Sequence, residues 1–450
     1  MIPRHVLVVA MAVAISLLGD STLYAVLPSH ADQLGIKLAF VGILLSVNRF
    51  VRLLTNSLAG YVHDHTGRWW HFVAALAVGA CTTAAYGLFW GFWVFLIARL
   101  VWGTCWSFLR LEGYATVIKH ATAQSRGKLM GMYQSIVGVG FFAGSLLGGI
   151  LTDTIGYRKC LLSFAALTLL GAMITFLERS RNGSLKEAET RGDRDEGIEK
   201  GKKREGKEEP VLSETKEWKD ANYASRFTFH VSRFTFHVSH LLSLINAKRR
   251  LPRHWRIYYV GFANVLVSSS IVSSTLGLLI KTRLGSVIQF GRISVKVASL
   301  TGILLSLRWC LSFFFAPILG HQADRLGRRF VLLPGLLVGV VALAVLATQD
   351  GFLWVGIAAI LTAISSAAVS VSLDAAIADV ASAGKRGKTI GIYTTFLDVG
   401  SAMGPLVSYL VSALIGARLG LERMYWAGVF LLMLGVLASW GIKGVVDESI

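Results

Sequence analysis

Nine polar side chains stand inside stretches otherwise apolar enough to cross a bilayer: Asp20, Arg49, Arg52, Asn56, Arg99, Glu112, Arg308, Asp374 and Asp398. A charge at bilayer depth costs about 2.5–3.5 kcal/mol on insertion scales, so it persists where it is paired or faces a polar path. The carboxyls among them, Asp20, Glu112, Asp374 and Asp398, form the protonatable set. Desolvation favours the neutral acid and a neighbouring guanidinium favours the carboxylate, so a carboxyl sharing a site with arginine can trade its proton for another ligand. The competing reading of each is an ion pair bracing two helices. Arg99 suits a fixed, paired charge, because guanidinium hardly deprotonates. Asn48, Arg52 and Asn56 follow one another at intervals of four and share a helical face. Several cations with few carboxylates, as with Arg49, Arg52 and Arg308, favour a ligand carrying a carboxylate, phosphate or sulfonate, unless Arg–Asp pairs cancel them.

The elements that must position these groups come as a duplicated unit. GYVHDHTGR (Gly60 to Arg68) recurs as GHQADRLGR (Gly320 to Arg328), with Asp324 − Asp64 and Gly327 − Gly67 both equal to 260. GILLS at Gly42 recurs at Gly302, and RGKLMGMY at Arg126 recurs as RGKTIGIY at Arg386, each again 260 on. One offset for all of them gives two similar halves in the same order, a parallel repeat. In this register Arg308 replaces Asn48 and Asp398 replaces Gly138. Features common to both halves should serve the scaffold; charges present in one half should serve a substrate or coupling ion. Each Gly-Asp-Gly-Arg copy reads as a tight loop at a bilayer surface.

Composition argues against a soluble protein. Of 450 residues, 54% are hydrophobic and 16% charged. Many apolar runs exceed the roughly 18 residues that mark a spanning helix. Twelve spans are predicted, at 5–29, 39–61, 71–90, 92–118, 128–151, 158–178, 254–280, 297–319, 331–349, 352–381, 388–413 and 422–443. The first is read as an uncleaved helix rather than a leader. The expected organisation is a six-helix bundle over 1–180, a charged, disordered linker over 181–253 and a second bundle over 254–450. The linker contains SRFTFHV twice in succession, at Ser225 and Ser232. The net charge of +19 falls largely in loops on one side of the alternating spans, which should be cytoplasmic and hold both termini; it argues for membrane orientation rather than nucleic acid. Lys281, Arg283, Arg292 and Lys296 break the bias on the other side. Cys81, Cys105, Cys160 and Cys310 show no metal spacing or disulfide framework. His63, His65 and His71 bunch at a loop, where surface residence is the default. Trp90, Trp93, Trp102 and Trp106 read as interface or packing aromatics.

Twelve spans, a 6+6 parallel repeat, a long central loop and the repeated loop motif together resemble the major facilitator superfamily. Its loop signature, G-x-x-x-D-R-x-G-R-R, is matched in full by Gly320, Asp324, Arg325, Gly327, Arg328 and Arg329. The first copy keeps Gly60, Asp64, Gly67 and Arg68, with His65 and Trp69 elsewhere. The resemblance implies an all-α polytopic fold around a central cavity, with the loop as a gate brace. Asp64 should approach the start of the eleventh span near Gly387 and Lys388, and Asp324 the start of the fifth near Gly127 and Lys128. Arg99-Leu-Val-Trp102-Gly103 is similar to the family's Arg-x-x-Gln-Gly, with Trp for Gln. Gly140, Gly144, Gly148 and Gly149 resemble its exporter-associated G-x-x-x-G-P-x-x-G-G, with Ser145 for Pro; Gly400 and Gly404 with Pro405 are the counterpart. The resemblance points to a secondary transporter moving a small organic molecule by alternating access, with proton-coupled efflux. It implies an inner-membrane monomer in the lipid bilayer, without metal, cofactor, enzymatic activity or nucleic-acid partner. The alternatives are an uptake symporter or uniporter for an organic anion or metabolite, and a non-transporting sensor or scaffold.

Overall fold

The computed structural model describes residues 3–66, 69–120, 126–201, 254–290, 293–380 and 386–440. Backbone polar groups have no water partner in hydrocarbon, so an apolar run of this length must bond internally as helix. Twelve helices long and apolar enough to cross a membrane result. They are α1 (Arg4–His30), α2 (Leu38–Thr66), α3 (Trp70–Leu88), α4 (Phe92–His120), α5 (Arg126–Ile155) and α6 (Tyr157–Gly201). The second half comprises α7 (Trp255–Leu284), α8 (Val297–Leu326), α9 (Arg328–Thr348), α10 (Phe352–Val380), α11 (Arg386–Ile415) and α12 (Ala417–Trp440). A two-stranded hairpin, β1 (Val287–Phe290) and β2 (Ile293–Lys296), joins α7 to α8 and sets Val287 opposite Lys296. The end of the bundle carrying it is the hairpin side; the end where α2 meets α3 and α8 meets α9 is the motif side.

The duplication is visible in three dimensions. The turns after α5 and α11 are made by Gly156 and Gly416, 260 apart and both at φ 91°, a left-handed conformation that favours glycine. Within the first half, a Cβ on Gly140 would fall on the Ala14 backbone, one on Gly144 on Leu18, and one on Gly148 on Thr22. Within the second, Gly400 meets Phe262 and Gly404 meets Ser270 and Ile271 in the same way. The glycine ladders of α5 and α11 thus let α1 and α7 approach to backbone contact, the packing that small residues permit in lipid. Gly103 does likewise for α4 against Asn48 and Val51 of α2, and Trp102 fills the surface beside Gly79.

Three expectations change. The Gly-Asp-Gly-Arg stretches are mostly helix: α2 runs on to Thr66 and α8 to Leu326, and the second turn is confined to Gly327 at φ 95°. Polar groups are no bar to helix once the chain leaves the hydrocarbon. Second, α6 continues to Gly201, past residue 181 where a disordered linker was expected. Its Lys, Glu, Arg and Ala content is that of good helix formers. Third, α7 is not uniform: Val265–Ile271 is π-helical. Gly67, Arg68, Arg292, residues 202–253 with both SRFTFHV copies, and the side chains of Asp64, Asp324, Lys128 and Lys388 with their expected brace contacts lie outside the described residues. Gly60 and Gly320 lie within α2 and α8, Arg325 is exposed at the end of α8, and Arg328 begins α9.

Gly144→Val should place side-chain carbons on the Leu18 backbone and destabilise the protein by about 1–3 kcal/mol. Gly138→Ala, where no neighbouring helix lies within 4 Å of the added carbon, should be tolerated or stabilising. Thermal unfolding of the two variants in detergent measures the contrast.

Candidate functional site

The π-helical turn of α7 carries three consecutive serines, Ser268, Ser269 and Ser270. Widening the hydrogen-bond step from four to five residues leaves a backbone carbonyl without its usual helical donor, which is why such turns collect at functional sites. Arg308 of α8 uses it: its Nη1 donates to the Ser268 carbonyl, and its Nη2 to Ser269 Oγ at 2.9 Å and Ser366 Oγ at 3.4 Å. Arg49 of α2 reaches the same turn from the other half. Its Nη1 donates to Ser270 Oγ at 3.0 Å and to the carbonyl and hydroxyl of Ser401 on α11. One turn of helix therefore supplies polar partners to two cations that the sequence placed on different halves.

Both arginines line a cavity of about 410 Å³ between the halves. Its wall includes eight serines, with Tyr24, Phe141 and Trp309, and no carboxylate among the described residues. The size suits a small organic ligand, and hydroxyls can donate or accept toward one.

Behind this wall sits an ion pair. Arg99, with no exposed surface, donates through Nη1 to Asp20 Oδ1 and through Nε to the Leu44 carbonyl at 2.8 Å. Its Nη2 donates to Tyr24 Oη at 3.4 Å. The Tyr24 ring lies 5.6 Å from the Arg99 guanidinium and 5.4 Å from that of Arg49. Tyr24 thus stands between the buried pair and the cavity. Removing one partner of such a pair strands a charge, at a cost of about 3–5 kcal/mol.

The remaining sequence candidates separate. Arg52 lies one turn from Arg49 toward the motif side, within electrostatic reach of Asp398, and its Nε has no hydrogen-bond partner among the described residues. Asn56 is half-buried one turn further on. Glu112 is not at the cavity: it pairs with Arg179 at 2.8 Å and His63 at 3.3 Å inside the first half. Asp374 is exposed one turn past the cavity residues of α10, and accepts from Tyr393 Oη at 2.9 Å. Glu112 thus has the partners of a structural ion pair, the alternative the sequence left open for it.

The two seams between halves share a backbone plan. Gly42 of α2 packs on Pro405, Leu406 and Tyr409 of α11; 260 residues on, Gly302 of α8 packs on Ser145 and Gly149 of α5. One level down the plan is kept and the chemistry changes. Arg49 meets Ser401 on one seam; their register counterparts, Trp309 and Phe141, stack at 4.7 Å and 14° on the other. Sequence reading missed Tyr24, Trp309, Phe141 and the serine triplet, although three serines in an apolar span are a visible signal.

The hairpin side is latched. Asp153, at the end of α5, accepts from the amide and hydroxyl of Ser299 at 2.7 and 2.6 Å in the first turn of α8. This caps the helix from the opposite half, where free amides and the helix dipole favour an anion. Lys296 donates to the Asp153 carbonyl at 3.0 Å, and Lys281 pairs with Asp32 at 2.9 Å. Arg283 pairs with Asp350 at 3.1 Å. Three of the four basic residues that blurred the loop asymmetry are thus engaged. The hydrogen bonds and the ring stack between halves named above lie at the cavity or on this side of it. Toward the motif side, a Cβ on Gly60 or Gly131 would meet no neighbouring helix within 4 Å. Asp153→Ala should remove about 1 kcal/mol of capping, about a fivefold shift toward separation of the hairpin side. Labelling of Ser145→Cys by an impermeant thiol reagent from that side, with the native cysteines replaced, should rise accordingly.

The sequence profile of the Major Facilitator Superfamily matches residues 9–294 and 259–446. The class C tetracycline resistance protein of Escherichia coli is 35% identical over 121 residues, which span 27% of this chain and 30% of that protein. An uncharacterized MFS-type transporter of Methanocaldococcus jannaschii, MJ1560, is 21% identical across 98% of both chains. The multidrug resistance protein MdtG of Citrobacter koseri is 21% identical over 87% of this chain and 84% of its own. Among solved structures, a bacterial homolog of the human lysosomal transporter Spinster, inward-facing and occupied, superposes with a TM-score of 0.71 at 13% identity, covering 99% of this chain and 97% of that one. The nucleoside transporter NupG gives 0.66 at 13%, covering 98% and 100%. With the profile matching nearly the whole chain and two six-helix repeats enclosing a cavity, this multi-pass membrane protein belongs to the Major Facilitator Superfamily.

Proposed function

We propose that this transporter exports a small organic molecule across a bacterial inner membrane in exchange for protons. The halves rock about the cavity, so that it meets one face of the membrane at a time. The bias of basic residues toward the motif-side loops supports a cytoplasmic motif side and cytoplasmic termini. With the hairpin side latched, substrate enters from within. Breaking the Asp153 cap and the Lys281–Asp32 pair opens the hairpin side and completes the exchange.

The observation that carries proton coupling is the position of Tyr24. Its hydroxyl accepts from Arg99 of the Asp20–Arg99 pair, and its ring lies beside both Arg99 and Arg49 at the cavity. A proton arriving on Asp20 cancels the carboxylate that balances Arg99. The freed guanidinium changes the charge felt through Tyr24 at Arg49, whose bonds to Ser270 and Ser401 join the halves. Asp398 beside Arg52 is a second candidate carrier. The names of the tetracycline resistance and MdtG relatives support efflux.

Symport of an organic anion with a proton is the second reading. It is favoured by one observation: neutralising Asp20 leaves Arg99 unbalanced behind a cavity that already holds two arginines, which would draw an anion in together with the proton. The direction of flux in everted vesicles separates the two readings.

For a ligand found by thermal-shift screening of the purified protein, wild-type flux in proteoliposomes should accelerate when a pH gradient is imposed. Asp20→Asn should make flux indifferent to the gradient. Wild-type flux that ignores the gradient would remove proton coupling altogether.

A further inference from the structure

Arg49 and Arg308 come from opposite halves and line one cavity, yet both are held by uncharged oxygens. Arg308 binds the Ser268 carbonyl and the hydroxyls of Ser269 and Ser366; Arg49 binds Ser270 and Ser401. Arg99 is matched by Asp20 and stands outside this balance. The cavity wall thus presents two guanidinium groups and no carboxylate among the described residues. Serine hydroxyls orient these groups without neutralising them, and a guanidinium with several N–H donors keeps some for a ligand.

Beside Arg308 the wall turns flat and apolar. Trp309 stacks on Phe141 at 4.7 Å and 14°, and both face the cavity. Trp309 is 41% exposed although it stands in the middle of α8, so the stack leaves ring surface uncovered. An aromatic face next to a pair of cations is complementary to a molecule that is a ring at one end and an anion at the other.

We propose that the cavity takes an aromatic organic anion, its carboxylate, sulfonate or phosphate held between Arg49 and Arg308 and its ring laid against Trp309 and Phe141. Export of such a ligand runs in the direction that an inside-negative potential favours. Because Arg49 also ties α2 to Ser270 and Ser401, an anion that recruits it acts on the contact between the halves. The proposal rests on the cavity being the transport site and names the chemistry it selects.

Ring-matched probes test it by titration calorimetry on the full chain purified in detergent: 2-naphthalenesulfonate, 2-naphthalenemethanol and 2-naphthylmethylammonium, with methanesulfonate as the anion without a ring. The sulfonate should bind about tenfold or more tighter than the neutral and cationic probes and than methanesulfonate. Arg49→Gln and Arg308→Gln should each weaken it about tenfold or more, with Arg308→Lys recovering part of the loss. Trp309→Ala should weaken it about threefold to tenfold. Equal or tighter binding of the cation, or no charge preference by the wild-type protein, overturns the proposal without recourse to any variant. Equilibrium binding needs no gradient, so loss of the charge preference leaves proton-driven efflux standing, and gradient-independent flux leaves the binding result intact.

Discussion

A guanidinium in the middle of a bilayer must be surrounded by acceptors, and in this protein that requirement falls on one distorted turn. The π-helical segment of α7 gives up regular hydrogen bonding and gains a carbonyl and three hydroxyls where Arg308 and Arg49 arrive. Without it the two cations would have to pair with carboxylates or leave the membrane. The distortion sits against Gly404 of α11, whose missing side chain admits Ser270 and Ile271. The glycine ladder, the irregular helix and the arginines are therefore one arrangement, in which close backbone approach permits the turn and the turn permits the charges.

Duplication explains the scaffold, and departures from duplication explain the site. Gly42 and Gly302 make equivalent contacts on the two seams, and Gly156 and Gly416 make equivalent turns. These are backbone demands, and both copies had to keep them. At the next level the register pairs Arg49 with Trp309, Ser401 with Phe141, Arg52 with Ser312 and Asn48 with Arg308. Each substitution exchanges polarity or charge for apolar or neutral surface, and each falls on or beside the cavity. A symmetric frame thus encloses an asymmetric chamber, with Arg49 bonded to Ser401 on one seam and an aromatic stack on the other.

The fold was legible because lipid leaves few options: apolar runs of spanning length must be helices, and a constant offset of 260 fixes their order. That Arg99 would be a paired charge was legible too, since a buried guanidinium needs a partner; that Asp20 supplies it was not. Of the two readings open for Glu112, an ion pair or a pathway carboxyl, the sequence could not choose, because its partner Arg179 stands one residue past the predicted sixth span. Asp153 went unnoticed because it stands near a span end, where a carboxylate is unremarkable until α8 brings an uncapped first turn to it. The cavity serines escaped for a similar reason. Hydroxyls can satisfy themselves within their own helix, so nothing in a list of residues says which of them face a shared space.

The unlike seams have a mechanical consequence. Contact between the two ring faces rests on no hydrogen bond, so the Phe141–Trp309 plates can slide over one another cheaply, as a bearing does. The Arg49 contacts must be released one by one, as a catch is. In the exchange proposed above, the stack would serve as the bearing of the α5–α8 edge once the Asp153 cap is broken, while the α2–α11 edge sets the moment at which separation begins.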